Sequence, residues 1–247
     1  MLVRCLLAAV LLATPVLAAP RAAPRSIPAS DLLIRQVSPN LGWRWRAAPE
    51  AATQPALLQQ LRATALKDAA KARADAANDA AGARKDGFPF RPYDFVTDWS
   101  LAADTPRLLA LAGMTYAYTG GAHGNTGYMA RIWDKQARRA IPIDALFTDW
   151  PRARRLIEPQ FCRALAEEQK RRIGSAGPDA SCPKLAEQPI VPWGEFGTRA
   201  AQLRVLLGPY VAGSYAEGSY LITLPWPDAV KSLVKPAYRS DLFGDGG

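Results

Sequence analysis

The feature that most constrains the fold is a long run of helix-forming residues at positions 55–84. Ala, Leu, Gln, Lys and Arg dominate this run, and these residues have high helix propensities. Pro55 suits the first turn of a helix, and the predicted helix ends before Gly87. Apolar side chains of its first half share one face: Leu57, Leu58, Leu61 and Ala65. The second half, 72–83, is nearly all alanine and charge and is expected to bury little.

Strand patterns follow the predicted helix. Apolar and polar residues alternate over 95–101, a turn is indicated at 104–106, and a mostly apolar strand is predicted at 108–118. Further strands are predicted at 42–46, 128–133, 139–143, 202–207 and 219–224, and a second helix at 151–173. Because hairpin-connected strands alternate irregularly with long helices, the sequence predicts an α+β fold. It is expected to contain antiparallel sheets, a long N-terminal helix and a second helix.

The N-terminal residues 1–18 have the layout of a secretory signal peptide. Arg4 supplies a positive charge, an apolar run reaches Leu12, and Val16 and Ala18 stand before a cleavage site. The apolar run is shorter than the roughly 20 residues that cross a bilayer, and no membrane span is expected later. The sequence therefore predicts export to a periplasm or to the outside of the cell. Residues 19–41 are predicted to form a flexible leader.

The charge of the chain favours anionic partners. Loss of residues 1–18 removes Arg4 as the only charged residue, so the net charge falls from +9 to +8. A basic protein attracts cell-wall polymers, lipid head groups or acidic proteins; the alternative is that so diffuse a charge serves solubility alone. Nucleic acid is not expected as a partner, because the chain is predicted to be exported and shows no binding motif.

Two cysteines remain after the predicted cleavage, Cys162 and Cys182. In an exported chain, such a pair predicts a disulfide, with two free thiols as the less favoured alternative. A structural zinc site needs four ligands, and the chain has one histidine and no ligand spacing that suggests such a site. No metal and no cofactor is therefore expected.

Two glycine-rich segments carry the most distinctive residues. In the first, Gly120 and Gly121 directly follow a predicted strand and allow a turn with positive φ, which displays the residues around it. In the second, residues 209–220, tyrosines and one acid stand among glycines, and such aromatics supply rigid contact area. The residues predicted to bind a ligand are Thr119, His123, Asn125, Tyr210, Tyr215 and Glu217.

Together these segments resemble a bacterial extracytoplasmic domain family of unknown activity. Its tandem modules form the extracellular half of a lysozyme-sensing anti-sigma factor, and one module stands beside the catalytic domain of a peptidoglycan deacetylase. In that family, a strand ending in Tyr-Thr-Gly-Gly-Ala-His precedes an Asp-turn-strand, a short Leu-Phe helix and a later Pro-Tyr segment. These parts match residues 118–123, Asp134, 144–147 and 209–224.

The resemblance covers about residues 42–238. It implies an α+β fold of two interdependent modules, which we expect at 42–125 and 126–247. It also implies a ligand-binding role without a known reaction.

His123 is the residue on which a catalytic hypothesis would depend. A histidine can act as a general base near neutral pH, but no nucleophile elbow or obvious carboxylate partner accompanies it. The favoured interpretation is a loop histidine that hydrogen-bonds to backbone, with ligand contact next, so no residue is assigned as catalytic. The chain is therefore expected to be an exported, non-enzymatic binding protein for a cell-envelope polymer or an exported protein. The alternative is an envelope hydrolase with His123 as its base.

The first testable prediction concerns the mature N-terminus. Because Val16 and Ala18 suit the peptidase and Pro20 disfavours cleavage after Ala19, the exported protein should begin at Ala19. Intact-mass measurement of the exported protein checks this. A mass that still includes residues 1–18 would contradict it.

Overall fold

Two β-sheets with helices packed against them make up the described part of the computed structural model, residues 29–174, 182–194 and 199–244. The predicted signal peptide lies outside these residues. The α-helices are α1 (Ala29–Leu32), α2 (Pro55–Asp86), α3 (Trp150–Ile173), α4 (Asp228–Lys231) and α5 (Pro236–Phe243). Short 3₁₀ helices span Pro49–Thr53, Ile143–Leu146, Leu185–Glu187 and Tyr215–Glu217.

The larger sheet has six strands in the order of the chain. They are β1 (Leu33–Ser38), β2 (Leu41–Arg46), β3 (Tyr93–Asp104), β4 (Leu108–Tyr118), β5 (Asn125–Asp134) and β6 (Arg139–Ile141). Neighbouring strands are antiparallel except β2 and β3, which are parallel. The exception arises because α2 lies between these two strands in the chain, and a parallel pair needs a long crossover connection of this kind.

The smaller sheet is antiparallel and contains β7 (Ile190–Trp193), β8 (Gln202–Leu207) and β9 (Tyr220–Pro225). Two hydrophobic cores result. In one, α2 packs on β2 and on one face of β3–β5; in the other, α3 and the smaller sheet pack with the opposite face of β3–β5. The predicted α+β class, with a long helix near the N-terminus and a second helix, is confirmed.

The second half of α2 is buried more than its sequence predicts. Small side chains follow one face of the helix and are buried, and all but the last share a core with side chains of the larger sheet: Ala69, Ala72, Ala76 and Ala80. Each buries little area, but the row of methyl groups allows the helix to approach closely. The Tyr93 hydroxyl donates to Asp79 of α2, and this hydrogen bond raises the pKa of Tyr93 to about 12.

The predicted leader differs from the structure over its last residues. Strand β1 pairs with β2 from Leu33 to Ser38, so this part of 19–41 belongs to the sheet. Its side chains alternate between exposed and half-buried, and the weak apolar pattern explains why the strand was not predicted. The boundary between the two modules stays a prediction, because β4 and β5 contribute side chains to both cores.

Helix α3 carries the disulfide. Asp149 accepts a hydrogen bond from the Arg152 backbone N–H at 3.0 Å and so caps the helix. Cys162 lies in this helix and is bonded to Cys182, with their Cα atoms 5.4 Å apart. The predicted disulfide is therefore confirmed. No helix within the described residues has the length and hydropathy needed to cross a membrane.

Asp134, at the end of β5, is a buried carboxylate with donors on both oxygens. The Arg107 guanidinium donates to Oδ2 at 2.8 and 3.1 Å, and the Tyr238 hydroxyl donates to it at 2.9 Å. The backbone N–H groups of Gln136 and Ala137 donate to Oδ1 at 3.0 and 2.9 Å. Burial alone would raise the pKa of this carboxyl, but the hydrogen bonds from Arg107, Ala137 and Tyr238 outweigh it and lower the pKa.

A second buried carboxylate continues this network. Asp241 of α5 accepts from the Thr105 hydroxyl at 2.5 Å and from the Arg107 backbone N–H at 2.8 Å. The C-terminal helix is therefore bound through Asp241 and Tyr238 to the turn between β3 and β4 and to the end of β5.

Asp134→Asn should destabilise the protein by about 3 kcal/mol at pH 7, because it leaves the Arg107 charge in a partly buried site without its partner. Folding lowers the pKa of Asp134, so its stabilisation is present above the unfolded pKa of about 3.9 and is lost as pH falls through the folded pKa. Urea unfolding at pH 7, 5 and 3 should show the difference between wild type and variant shrinking below about pH 4.

Asp228→Asn is the matched control. Its side chain is 93% exposed and pairs with Lys231 one turn away, so the stability should change by less than about 0.5 kcal/mol. An Asp134→Asn variant as stable as this control would refute the role of the network.

Candidate functional site

The loop between β4 and β5 meets the connection between β8 and β9, and the candidate site forms where they cross. Glycine permits a close approach at two points, one between these segments and one within the β4–β5 hairpin. A Cβ on Gly208 would stand 2.6 Å from the carbonyl oxygen of Thr126, and a Cβ on Gly124 would stand 2.3 Å from the Tyr116 ring. Both distances are shorter than a real Cβ contact, so a side chain at Gly208 would push the two segments apart, and one at Gly124 would displace the Tyr116 ring.

His123 lies at the centre of this crossing. Its ring stacks on the Tyr215 ring, with centroids 3.9 Å apart and planes 25° apart. The Tyr210 ring is 6.3 Å from His123 and 5.6 Å from Tyr215. We call His123, Tyr210 and Tyr215 the aromatic cluster. The sequence predicted all three as ligand-binding residues, and the structure brings them together from two distant segments.

Both ring nitrogens of His123 have partners. Nδ1 lies 2.9 Å from the Gly124 carbonyl oxygen, and Nε2 lies 3.3 Å from the Tyr210 hydroxyl. Because a carbonyl oxygen only accepts, Nδ1 carries the hydrogen and donates it. In the neutral ring, Nε2 then accepts from Tyr210. The backbone contact expected for a loop histidine is thus present, together with aromatic contacts that the sequence did not reveal.

Tyr210 is held in an unfavourable backbone conformation. Its φ is +69°, in the left-handed region that costs a residue with a Cβ about 1 kcal/mol or more. Its side chain is nevertheless 58% exposed, so burial of the ring does not repay this cost. Such strain on an exposed aromatic residue points to a functional position.

Glu217 fixes the shape of the connection. Its carboxylate accepts from the Ser214 backbone N–H at 2.7 Å, which forms a capping box, and from the Tyr220 hydroxyl at 2.6 Å. These two hydrogen bonds, with Tyr220 the stronger cause, lower the pKa of Glu217. Burial, reinforced by Glu217, raises the pKa of Tyr220 to about 12. Glu217 therefore has an internal role, while its predicted ligand contact stays a prediction.

Side chains of α3 hold the connection between β8 and β9 in place. The buried side chain of Gln169 donates to the Ala212 carbonyl oxygen at 2.6 Å. Arg172 donates to the carbonyl oxygens of Glu217 and Ser219 at 3.3 and 2.7 Å, and its guanidinium lies 4.3 Å from the Tyr220 ring centroid. The backbone under the aromatic cluster is therefore tied to a helix that belongs to the core.

The two glycines of the predicted turn are not equivalent. Gly120 has φ of +91°, and a Cβ there would meet Arg91 at 3.6 Å. Gly121 lies outside the positive-φ region, and a Cβ there would have no neighbour within 4 Å. The structural role predicted for both glycines therefore applies to Gly120, while Gly121 contributes its carbonyl oxygen to Arg91 at 3.4 Å.

Thr119 and Asn125 are exposed and lie on either side of the loop. Asn125 accepts from the Thr126 backbone N–H at 3.0 Å. Within the described residues, no hydrogen bond connects either side chain to the aromatic cluster. Their contact with a ligand stays a prediction.

The groups around His123 determine which contacts the site can make. In the described part of the chain, no three His, Cys, Asp or Glu side chains come close enough to hold a metal ion. Among the described residues, the polar partners of the His123 ring are a backbone carbonyl and a phenol, without a carboxylate or a nucleophile. The ring can stack, donate and accept hydrogen bonds.

The sequence did not reveal the glycines that allow the close approaches at the crossing, or the side chains of α3 that hold the β8–β9 connection. Gly124 stood inside the first motif, and its spacing of eight from Tyr116 carried no local signal. Gly208 directly precedes the second motif, but the strand that it meets is distant in sequence. Gln169 and Arg172 looked like ordinary polar residues of a helix.

The fold and this site define an α+β protein whose two sheets bring together two loop segments. Comparison with one known structure agrees with this fold. The chain is similar to a DUF3298-family protein from Bacteroides fragilis, with 13% identity over 83% of this chain and 92% of that chain, and a TM-score of 0.53. A DUF3298-family protein from Pseudomonas aeruginosa matches with 14% identity over 83% and 93% of the two chains, and a TM-score of 0.47.

A comparison with protein-family models supports the resemblance expected from the sequence. A family model described as deacetylase PdaC matches residues 47–126, which include α2, β3, β4 and the loop with Gly120 and His123. The predicted resemblance to the family shared with a deacetylase module is thereby confirmed. A comparison with curated protein sequences gives no match.

Gly120→Ala should destabilise the protein by about 1–2 kcal/mol, because the Cβ of alanine makes the left-handed backbone conformation unfavourable. Thermal unfolding should show a fall of roughly 2–8 °C in Tm. Gly121→Ala is the control and should change the stability by less than about 0.5 kcal/mol. Equal losses in the two variants would show that the turn does not depend on positive φ at Gly120.

Proposed function

We propose that this chain is an exported, non-enzymatic binding protein and that its aromatic cluster contacts a cell-envelope polymer. The observation that carries the proposal is the stack of His123 on Tyr215, with Tyr210 alongside, at an exposed crossing of two loops. Flat aromatic rings offer a large contact area with one polar edge. Such a surface suits the alternating apolar faces and hydroxyl groups of a glycan.

The rigidity of the cluster supports this role. Tyr210 keeps a strained backbone while its ring remains exposed, and Glu217, Gln169 and Arg172 hold the connection beneath the rings. Contact residues that are fixed before binding lose less conformational entropy when the ligand arrives. Rigid, exposed aromatic rings are therefore expected in a binding site. A loop that only faces solvent would gain nothing from this rigidity.

The charge of the chain supports an anionic polymer. The mature chain carries a net charge of +8, and Arg91 donates to the Gly121 carbonyl oxygen beside the cluster. A positive field raises the rate at which anionic ligands arrive, and it is screened as salt rises.

The partners of His123 support binding over hydrolysis. A general base needs a free nitrogen within reach of the proton that it abstracts, whereas Nε2 lies 3.3 Å from the Tyr210 hydroxyl and Nδ1 is bonded to backbone.

Tyr215→Ala should weaken binding to purified peptidoglycan by about tenfold or more, because it removes the ring on which His123 stacks. Sedimentation with the insoluble polymer measures the bound fraction, and an assay of the supernatant detects released fragments. Leu66→Ala is the control, since Leu66 is 47% exposed and lies on α2, which packs on the other face of the larger sheet and has no described contact with the aromatic cluster. It should bind like wild type, and no variant should release fragments.

Three outcomes would contradict the proposal. The first is equal binding by Tyr215→Ala and wild type, with thermal unfolding showing that both are folded. Fragment release by wild type that His123→Ala abolishes would establish a hydrolase. Capture of an exported protein, lost in Tyr215→Ala and without any binding to the polymer, would replace the polymer with a protein partner.

A further inference from the structure

A cleft lies between the two sheets, lined by residues of both. It has a volume of about 250 Å³, and its walls include Met114, Tyr128, Trp193, Arg204, Leu206 and Leu221. Met114 stands two residues before Tyr116 in β4, and Leu206 stands two residues before Gly208. The cleft and the loop crossing thus follow one another along the same strands. None of the residues predicted from the sequence as ligand-binding lines it.

Arg204 of β8 is held in one position within this cleft. Its guanidinium carbon lies 3.2 Å from the centroid of the Trp193 ring, so the two planar groups are in close contact. Its Nε donates to the Thr223 hydroxyl at 2.6 Å. These two contacts leave the terminal nitrogens, which carry four N–H donors, without a hydrogen-bond partner among the described residues.

The charge of Arg204 is also without an acidic partner. In the described ranges, no Asp or Glu forms an ion pair with it. Burial lowers the pKa of the guanidinium, and no neighbouring charge opposes that change. Arginine stays protonated in proteins, so the cleft contains a partly desolvated positive charge.

We propose that this cleft binds a carboxylate carried on an apolar group of amino-acid size, with the two terminal nitrogens of Arg204 donating to the two carboxylate oxygens. The planar fork of a guanidinium matches a carboxylate in this bidentate way. The hydroxyl of Tyr128, which has no partner among the described residues, lines the same cleft and can donate to the ligand.

The walls of the cleft determine what the carboxylate must be attached to. Met114, Leu206 and Leu221 present apolar surface, so the rest of the ligand gains by burying an apolar group. A single arginine balances one negative charge, which favours a carboxylate over a doubly charged phosphate. The volume is below the roughly 300–1,000 Å³ of sites for drug-sized molecules, so it suits one amino-acid residue.

A titration with two matched probes tests the proposal. N-acetyl-leucine carries the carboxylate, and N-acetyl-leucinamide has the same apolar group without the charge. The indole N–H signal of Trp193, assigned by its loss in Trp193→Phe, reports binding by NMR. The acid should bind at least tenfold more tightly than the amide. Arg204→Gln should abolish this preference, and Arg204→Lys should weaken acid binding about tenfold because an ammonium group lacks the fork.

Arg152→Gln is the charge control, because it removes one exposed positive charge from α3 and should bind the acid like wild type. Three results would overturn the proposal: equal affinity for acid and amide, acid binding that survives in Arg204→Gln, or tighter binding of inorganic phosphate than of the acid. The inference is independent of the aromatic cluster, so Tyr215→Ala should leave the Trp193 titration unchanged. The acid–amide comparison on the wild-type protein needs no variant to fold.

Discussion

The buried carboxylate of Asp134 connects three parts of the chain at one end of the larger sheet. Arg107 lies just before β4, Gln136 and Ala137 belong to the turn after β5, and Tyr238 belongs to α5; all four donate to it. An unpaired charge at this depth would cost several kcal/mol, so the donors must assemble together. Because α5 and the smaller sheet share one core, this network also helps to fix the position of β8 and β9. The loop crossing that forms the candidate site depends on that position.

The periodicity of the sequence predicted the elements with strong apolar patterns, α2, β3, β4 and α3, and with them the α+β class. It could not predict the parallel pairing of β2 with β3, since strand direction depends on the path of the crossover and not on composition. The alanine row of α2 was missed for a related reason. A methyl group contributes little hydrophobic signal, and Ala72 and Ala76 are buried because they pack in a core with the larger sheet.

At the candidate site, residue types were easier to predict than their arrangement. Glycines beside tyrosines marked His123, Tyr210 and Tyr215, but the contact of His123 with Tyr210, 87 positions away, and its stacking on Tyr215 are tertiary contacts without a local signal. The difference between Gly120 and Gly121 lies in one dihedral angle, which the sequence does not show. Trp193 and Arg204 carry no spacing that pairs them, since they meet only through the antiparallel pairing of β7 with β8.

The two binding surfaces have a fixed geometric relation because they share strands. Met114 and Tyr116 point to the same face of β4, as alternate residues of a strand must, and Gly124 packs against the Tyr116 ring beside His123. Two residues of extended strand span about 7 Å. A ligand that reached both surfaces would therefore present a group for stacking and a carboxylate on the same side, separated by about the length of one or two residues. The backbone of β4 sets this spacing. It therefore applies whatever the chemistry of the part of the ligand that joins the stacking group to the carboxylate.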